Sequence, residues 1–228
     1  MLGQKKKFSR KEMKEDRLVT FYYQAIAVFD EHKRNILIGV GALAVIILAV
    51  VLYTNNKNID NEVANLELAR VMPIYDAGSY QEAINGRAGT KIIGLKKIAE
   101  MYSGTENGEA AKIYLANAYY ALAKFDEAEK YYGSYSGGND LFKATSLAGL
   151  AACKEVKNEY KEAAELYINA SKVSEENVLN PKYLMFAGIN FLHLKNKAEA
   201  KEIFVRVKKD YAKSAYIREI DRYLSQVE

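Results

Sequence analysis

The feature that most constrains this chain is a run of uncharged residues from Asn35 to Asn56. Its centre, Ile36–Tyr53, consists almost entirely of Ile, Leu, Val, Ala and Gly. A helix of these 18 residues rises roughly 27 Å, close to the ~30 Å hydrocarbon core of a bilayer. A helix buried in a protein core normally keeps a polar stripe, and this one has none. We therefore predict a membrane-spanning helix, marked along its length by Ile36, Leu43, Ile47, Val51 and Tyr53.

The same segment is predicted to be an uncleaved signal anchor over residues 35–55. Its apolar run is longer than the roughly 7–15 residues usual for a signal peptide, and the residues before it form a long leader. The sequence that follows, Leu52-Tyr53-Thr54-Asn55, has no small-residue cleavage motif. These features favour a helix that remains in the lipid bilayer over one that is removed.

Basic residues are concentrated before the apolar run. Of the 33 basic and 29 acidic residues in the chain, residues 1–34 hold nine and five, so the remainder has 24 of each. Because cytoplasmic flanks are enriched in Lys and Arg, we predict residues 1–34 to be cytoplasmic. Residues 56–228 would then lie outside the cytoplasmic (inner) membrane, in the periplasm of a Gram-negative bacterium. Their neutral charge gives no support for binding nucleic acid.

Two segments are distinguished within the predicted tail. Residues 1–16 are charged and predicted to be disordered. Arg17–Phe29 carries apolar residues at helical spacing, which predicts an amphipathic juxtamembrane helix at the membrane surface. A plain linker and a docking helix for a membrane partner remain as alternatives. The apolar residues are Leu18, Phe21, Tyr22, Ala25, Ile26 and Phe29.

Beyond the apolar run the chain repeats itself. The scarcity of Gly (14) and Pro (2) favours an all-α domain. Within it, Ala128, Ala163 and Ala200 are separated by 35 and 37 residues, and each is followed four residues later by an aromatic residue. A small residue precedes each alanine by twelve positions. The aromatic residues are Tyr132, Tyr167 and Phe204, and the small residues are Ala116, Ala151 and Gly188.

This pattern resembles the tetratricopeptide repeat family, whose unit is a pair of antiparallel helices. The resemblance implies a helical solenoid at residues 56–228, with repeats at about 59–102, 109–142, 144–178 and 181–212 and a C-terminal capping helix at 214–227. The first repeat is atypical, with a helix over Ile59–Tyr75, a turn at Ser79–Asn85 and a helix over Lys91–Tyr102. The sequence departs from the family pattern at several positions. Lys154 and Lys197 stand where aromatic residues are expected, and Lys112, Leu147 and Leu184 stand where the family has a tryptophan.

No pattern in the sequence favours catalysis. There is no glycine-rich phosphate loop, nucleophile elbow or cluster of metal-ligating residues. His193 is an isolated histidine, and Cys153 lies among small apolar residues, which predicts a buried thiol. We therefore predict no enzyme activity, no cofactor, no metal and no small-molecule substrate.

The family resemblance instead implies a binding groove lined by the first helix of each pair. Its apolar and aromatic character favours an extended or helical apolar peptide from a protein partner. Alternatively, the same side chains only cover neighbouring structure. The candidate groove residues are Ile113, Asn117, Tyr120, Ala148, Ala152, Glu155, Lys182, Met185, Ile189 and Leu192.

The layout as a whole resembles the ancillary subunit of the bacterial Sec translocon. The local likeness lies in Ala27–Arg34 leading into Ile36, with the repeats behind the span. That resemblance implies an adaptor that contacts the translocon and periplasmic chaperones. A scaffold subunit of another envelope assembly machine and an accessory subunit of a membrane enzyme remain alternatives. A pocket with convergent titratable side chains would favour the last of these.

Overall fold

The computed structural model describes residues 10–227, with side chains from Val19 onward. These residues form ten α-helices and no strand, apart from one isolated bridge between Gly86 and Ile93, so the prediction of an all-α chain is confirmed for this range. The helices are α1 (Arg10–Asp76), α2 (Tyr80–Asn85), α3 (Leu95–Met101), α4 (Glu106–Ala121), α5 (Phe125–Gly133), α6 (Asp140–Val156), α7 (Tyr160–Ser171), α8 (Asn180–His193), α9 (Lys197–Asp210) and α10 (Ile217–Leu224).

By its internal contacts the chain divides into two units, Met1–Asn56 and Lys57–Glu228. In the first unit every described side chain is exposed, including those of Ile36 and Tyr53. Among the described residues, α1 is the one helix long and apolar enough to cross a membrane or to serve as a signal anchor. The disorder predicted for residues 1–16 is wrong from Arg10 onward, because α1 begins there, and residues 1–9 lie outside the described range.

The second unit begins with the last part of α1. Pro73 lies inside this helix without ending it, and the chain leaves the helix at Asp76. Gly78 then takes a left-handed conformation (φ 75°), as glycine commonly does at helix ends. Of the residues predicted as a turn at Ser79–Asn85, Tyr80–Asn85 instead form the short helix α2, and Ser79 directly precedes it.

The helix predicted over Lys91–Tyr102 begins later than expected, at Leu95. Gly94 precedes it in an extended conformation, and its backbone lies directly against α2. A Cβ atom added at Gly94 would lie 2.1 Å from the carbonyl oxygen of Ile84. The close approach of two backbones therefore requires glycine at this position and sets the start of α3.

Three helix hairpins follow, α4–α5, α6–α7 and α8–α9, and their turns share one conformation. Ala123, Asn158 and Lys195 have φ of 55°, 60° and 58°, and they are separated by the same 35 and 37 residues as the repeated alanines. In each turn the left-handed residue donates its N–H to the carbonyl three residues back, and the next residue donates five residues back. This hydrogen-bond pattern ends the first helix of each hairpin and reverses the chain.

The repeated small and aromatic positions of the sequence form the contacts within this array. Ala128, Ala163 and Ala200 are completely buried. A Cβ atom at Gly188, a repeated small position, would lie 2.4 Å from the ring of Phe204. One at Gly149, two residues before the repeated Ala151, would lie 2.3 Å from the ring of Tyr132. Each aromatic ring therefore occupies the volume that a larger side chain would need, as close packing requires.

The chain end packs against the last hairpin. Ile220 and Leu224 of α10 are buried in a cluster with Phe204 and Val207, and the rings of Phe204 and Tyr223 stack with centroids 5.7 Å apart. Helix α10 lies inside the range 214–227 in which a last helix was predicted. It is shorter than that range because turns occupy the residues on both sides.

Lys154, a departure from the repeat pattern, has an electrostatic explanation. Its ammonium group lies 3.2 Å from Glu129, 2.7 Å from Glu159 and 3.4 Å from Glu162. In the preceding hairpin the matching residue is Tyr119, which stacks on Tyr131. The second hairpin thus replaces a ring contact with an ion-pair network that connects α5, α6 and α7. The hydrogen bonds with Glu159 and Glu129 raise the pKa of Lys154.

Candidate functional site

Two adjoining cavities open on one face of the hairpins. Their volumes are about 550 and about 260 Å³, and they share Ala152, Tyr167 and Phe186 as lining residues. We call the combined depression the groove. It is formed by α4, α6, α7 and α8, and its principal lining residues are Asn117, Tyr120, Ala148, Ala152, Glu155, Tyr160, Tyr167, Lys182, Phe186 and His193.

The structure brings six of the ten candidate residues together in this groove. They come from the first helices of the three hairpins and are Asn117, Tyr120, Ala148, Ala152, Glu155 and Lys182. None of the six is fully buried. All six side chains are therefore partly accessible from the groove, beyond any role in covering neighbouring structure.

The other four candidates do not line the groove. Ile113 and Met185 are 1% and 3% exposed, so their assignment as outward-facing residues is wrong. Ile113 belongs to the hydrophobic cluster that includes Val71. Ile189 and Leu192 pack against the C-terminal cluster of Met185 and its neighbours.

The error in the third hairpin has a geometric cause. Starting from Lys182, steps of four and then seven residues lead to Phe186 and His193, which stay on one helix face. Met185 and Leu192 directly precede Phe186 and His193, so each is turned away from that face by roughly 100°. Ile189, seven residues after Lys182, lies at the edge of the face and packs against the C-terminal cluster. The sequence carried this signal, because an aromatic residue four positions after Lys182 continues the same stripe.

A carboxylate lies at one end of the groove. Oε2 of Glu155 accepts hydrogen bonds from the Tyr167 hydroxyl at 3.4 Å and from Nδ2 of Asn190 at 3.2 Å. Asn190 is completely buried and also donates to the backbone carbonyl of Phe186. Burial, together with the charge of Glu155, raises the pKa of Tyr167, so this hydroxyl keeps its proton and remains a donor.

Aromatic residues line the same cavity as this carboxylate. The Tyr160 and His193 rings stack with centroids 4.6 Å apart, and Tyr120 contacts Phe125 edge to face at 5.2 Å. Sequence reasoning treated His193 as isolated, whereas its stacking partner comes from the preceding hairpin. Lys197 occupies the position of Tyr160 in the next hairpin, and its ammonium group donates to the backbone carbonyl of Gln226 instead.

The other end of the groove is polar and carries a cation. The Tyr132 hydroxyl donates to Oδ1 of Asn117 at 2.6 Å. The ammonium group of Lys182 lies 5.8 Å from the centroid of the Phe186 ring, within the range of a cation–π contact. Lys182 and Glu155 therefore give the groove a positive and a negative end.

Outside the groove, the most buried carboxylate has a structural position. Glu109 is 2% exposed, and it accepts hydrogen bonds from Lys112 and from the backbone N–H groups of Gly104 and Ser136. Burial alone would raise the pKa of Glu109, but these hydrogen bonds hold it below its usual value. Glu109 thus joins the loop before α4 to the loop after α5.

The thiol of Cys153 is buried, as predicted, and burial raises its pKa to about 11. At neutral pH the group remains a thiol, the form that is a weak nucleophile and a poor metal ligand. Within residues 10–227, no group of three or more His, Cys, Asp or Glu side chains is arranged to hold a metal ion.

No protein-family model matches this chain. No curated protein matches it with significance either. The fold and the groove therefore carry the functional argument by themselves.

Proposed function

We propose that this chain is a membrane-tethered adaptor that binds a protein partner in the groove. The observation that carries the proposal is the groove itself, in which the first helices of three consecutive hairpins contribute side chains to one open surface. Such a surface is what a stack of helix pairs offers to an extended peptide. Its mixture of aromatic rings with two opposite charges suits a polypeptide better than a uniformly charged ligand.

The hairpins are proposed to form a tetratricopeptide-like solenoid with α10 as its cap. Two independent periodicities support this assignment. The alanines at 128, 163 and 200 and the left-handed turn residues at 123, 158 and 195 recur with the same two spacings. The repeated residue types and the repeated backbone geometry therefore describe the same repeating hairpin. Helix α10 covers apolar side chains at the end of the third hairpin, where a solenoid needs a polar outer face.

The exposed apolar helix is proposed to be a signal anchor in the cytoplasmic membrane. Its side chains between Ile36 and Tyr53 are exposed, and a lipid bilayer would cover them. The excess of basic residues before the helix supports a cytoplasmic N-terminus and a periplasmic repeat domain. We further propose that the partners belong to the Sec translocon or to periplasmic chaperones.

A photocrosslinking amino acid in place of Tyr120 tests the adaptor function in cells. The matched control carries it in place of Lys201, which is exposed on α9 outside the groove. We expect covalent adducts from position 120 that contain translocon subunits or periplasmic chaperones, and no such adducts from position 201. Adducts with outer-membrane or cell-wall assembly proteins would favour the scaffold alternative. Equal adducts from both positions would overturn the groove as the binding surface.

The enzyme-accessory alternative has one observation in its favour. Glu155, Tyr167 and His193 are titratable residues that line the same cavity. The Tyr167 hydroxyl donates to Glu155, but burial raises the pKa of Tyr167 and disfavours the phenolate that a nucleophile needs, and the His193 ring stacks on Tyr160. A membrane enzyme that co-purifies with the chain and loses activity with His193→Gln would establish this alternative.

A further inference from the structure

The carboxylate of Glu155 differs from those of Glu109 and Glu129, the other partly or fully buried carboxylates of the three hairpins. Glu109 and Glu129 are each paired with lysine side chains. Glu155 forms no ion pair among the described residues, and its hydrogen bonds come from two neutral groups on Oε2. Within residues 10–227, some buried polar side-chain atoms lack a hydrogen-bond partner, and the Glu155 oxygens are not among them. The carboxylate is therefore held in position, open to the cavity and not neutralised.

The walls of this cavity suit a cation. Tyr120, Phe186 and the stacked Tyr160–His193 pair line the same cavity as the carboxylate. Ring faces attract an ammonium or guanidinium group, and the attraction grows when water is partly excluded. The cavity volume of about 550 Å³ accommodates one long side chain with part of its backbone.

The protein's own nearby lysine does not occupy this position. Lys182 lies over the Phe186 ring and lines the adjoining cavity, and it makes no ion pair with Glu155. The cation of a bound segment is therefore directed to the Glu155 end, because Lys182 repels it from the other end. Charge complementarity thus sets both the kind of side chain and its position along the groove.

We propose that the Glu155 end of the groove binds a Lys or Arg side chain of an extended segment of the protein partner. This inference rests on the proposed function, since it names the chemistry that the groove recognises. The carboxylate supplies charge-assisted hydrogen bonds, and the rings supply cation–π contacts and apolar cover for the methylene groups. Neutral residues beside the cation would lie on Ala152 and Phe186.

The test uses the full chain in detergent micelles and fluorescein-labelled peptides of the sequence Gly-Ser-Leu-Xaa-Leu-Ser-Gly. Xaa is Arg, Lys, Glu or citrulline, which has the shape of Arg without its charge. Fluorescence anisotropy should show the Arg and Lys peptides binding about tenfold more tightly than the citrulline peptide. Glu155→Gln keeps an acceptor for Tyr167 and Asn190, and it should abolish this preference.

Two further variants separate the contributions. Glu165→Gln makes the same charge change on the exposed face of α7, away from the groove, and should leave the preference intact. Tyr120→Leu should weaken binding of the Arg and Lys peptides about threefold, with little effect on the citrulline peptide. Circular dichroism on each variant establishes that the helices are retained.

Four outcomes would overturn the inference, and they differ in what they imply for the adaptor. Equal binding of all four peptides would leave a peptide groove without a cation site. A preference for Arg that survives Glu155→Gln would place the cation site elsewhere. Binding of agmatine alone, as tight as that of the Arg peptide, would make this a small-cation site. If no peptide binds while position 120 still captures a partner, the inference fails and the adaptor function stands.

Discussion

Ile47 and Ile98 have identical side chains on two helices of this chain, and their surroundings are opposite. Ile47, in the first unit, is 55% exposed, whereas Ile98, in the second unit, is completely buried. In the first unit the apolar residues follow one another without a polar stripe, so no protein surface covers them. In the second unit they recur at intervals, and the neighbouring helices close over them. Hydrophobicity alone therefore does not fix the environment, whereas its spacing along the helix does.

The largest expected effect comes from comparing one isoleucine-to-alanine substitution in each of the two units. Ile98→Ala should lower the free energy of unfolding of the second unit by about 2–5 kcal/mol, because it leaves a cavity in the core. Ile47→Ala should change the same quantity by less than about 0.5 kcal/mol. Urea unfolding of the full chain in detergent, followed by near-UV circular dichroism of the tyrosines, measures both. Similar losses from the two substitutions would contradict the comparison.

A substitution with a smaller expected effect tests the backbone conformation of the hairpin turns rather than the packing of side chains. Ala123 is exposed and has a left-handed conformation, which is unfavourable for residues with a Cβ atom. Ala123→Gly should therefore stabilise the second unit, by up to about 1 kcal/mol after the greater flexibility of glycine in the unfolded chain is subtracted. Ala121→Gly, at the exposed end of α4, should have the opposite sign. A loss of thermal stability with both variants would refute this account of the turn.

The smallest effect concerns the charges between the hairpins. The hydrogen bond from Lys157 lowers the pKa of Glu129, so the stabilisation it brings is complete above the unfolded value, about 4.3. It is lost as the pH falls through the lower folded value. Lys157→Met should slightly reduce stability at neutral pH and flatten the acid side of the stability profile.

Unfolding of wild type and Lys157→Met between pH 3 and pH 7, at low and at high salt, tests this prediction. Exposed ion pairs contribute little and are screened by salt, so the difference between the two proteins should shrink at high salt. Lys161→Met, on the exposed face of α7 and without an ion pair among the described residues, is the matched control. An unchanged acid profile in Lys157→Met would show that the network does not stabilise the fold.

Much of the helical architecture could be predicted from residue types. The spacing of Ala128, Ala163 and Ala200 located three hairpins, since a small residue is required wherever two helices approach closely. The turns themselves could not be located this way. Ala, Asn and Lys occupy the same left-handed position, so no shared residue type signals it. The helical turn at α2 was missed for a related reason, because its six residues are too few to show a period.

The groove was predicted only in part, and the reason is helix phase. In α4 and α6 the expected face was correct from Asn117 to Glu155, apart from the buried Ile113. In α8 the face begins correctly at Lys182 and then continues through Phe186 instead of Met185. A shift of one residue turns a side chain by about 100°, which suffices to exchange core and surface. Tyr160 and Tyr167 were not expected in the groove, because they come from the second helix of a hairpin.

The sequence by itself determined the helical class, the apolar segment and the repeat, because each depends on local periodicity and composition. Only the tertiary structure decided which face of each helix stays open. It brought Glu155 between Tyr167 and Asn190, and it stacked His193 on Tyr160 across two hairpins. These contacts join residues up to 35 positions apart. They depend on how neighbouring helices are rotated against each other, a quantity set by the sum of all packed side chains rather than by any one segment.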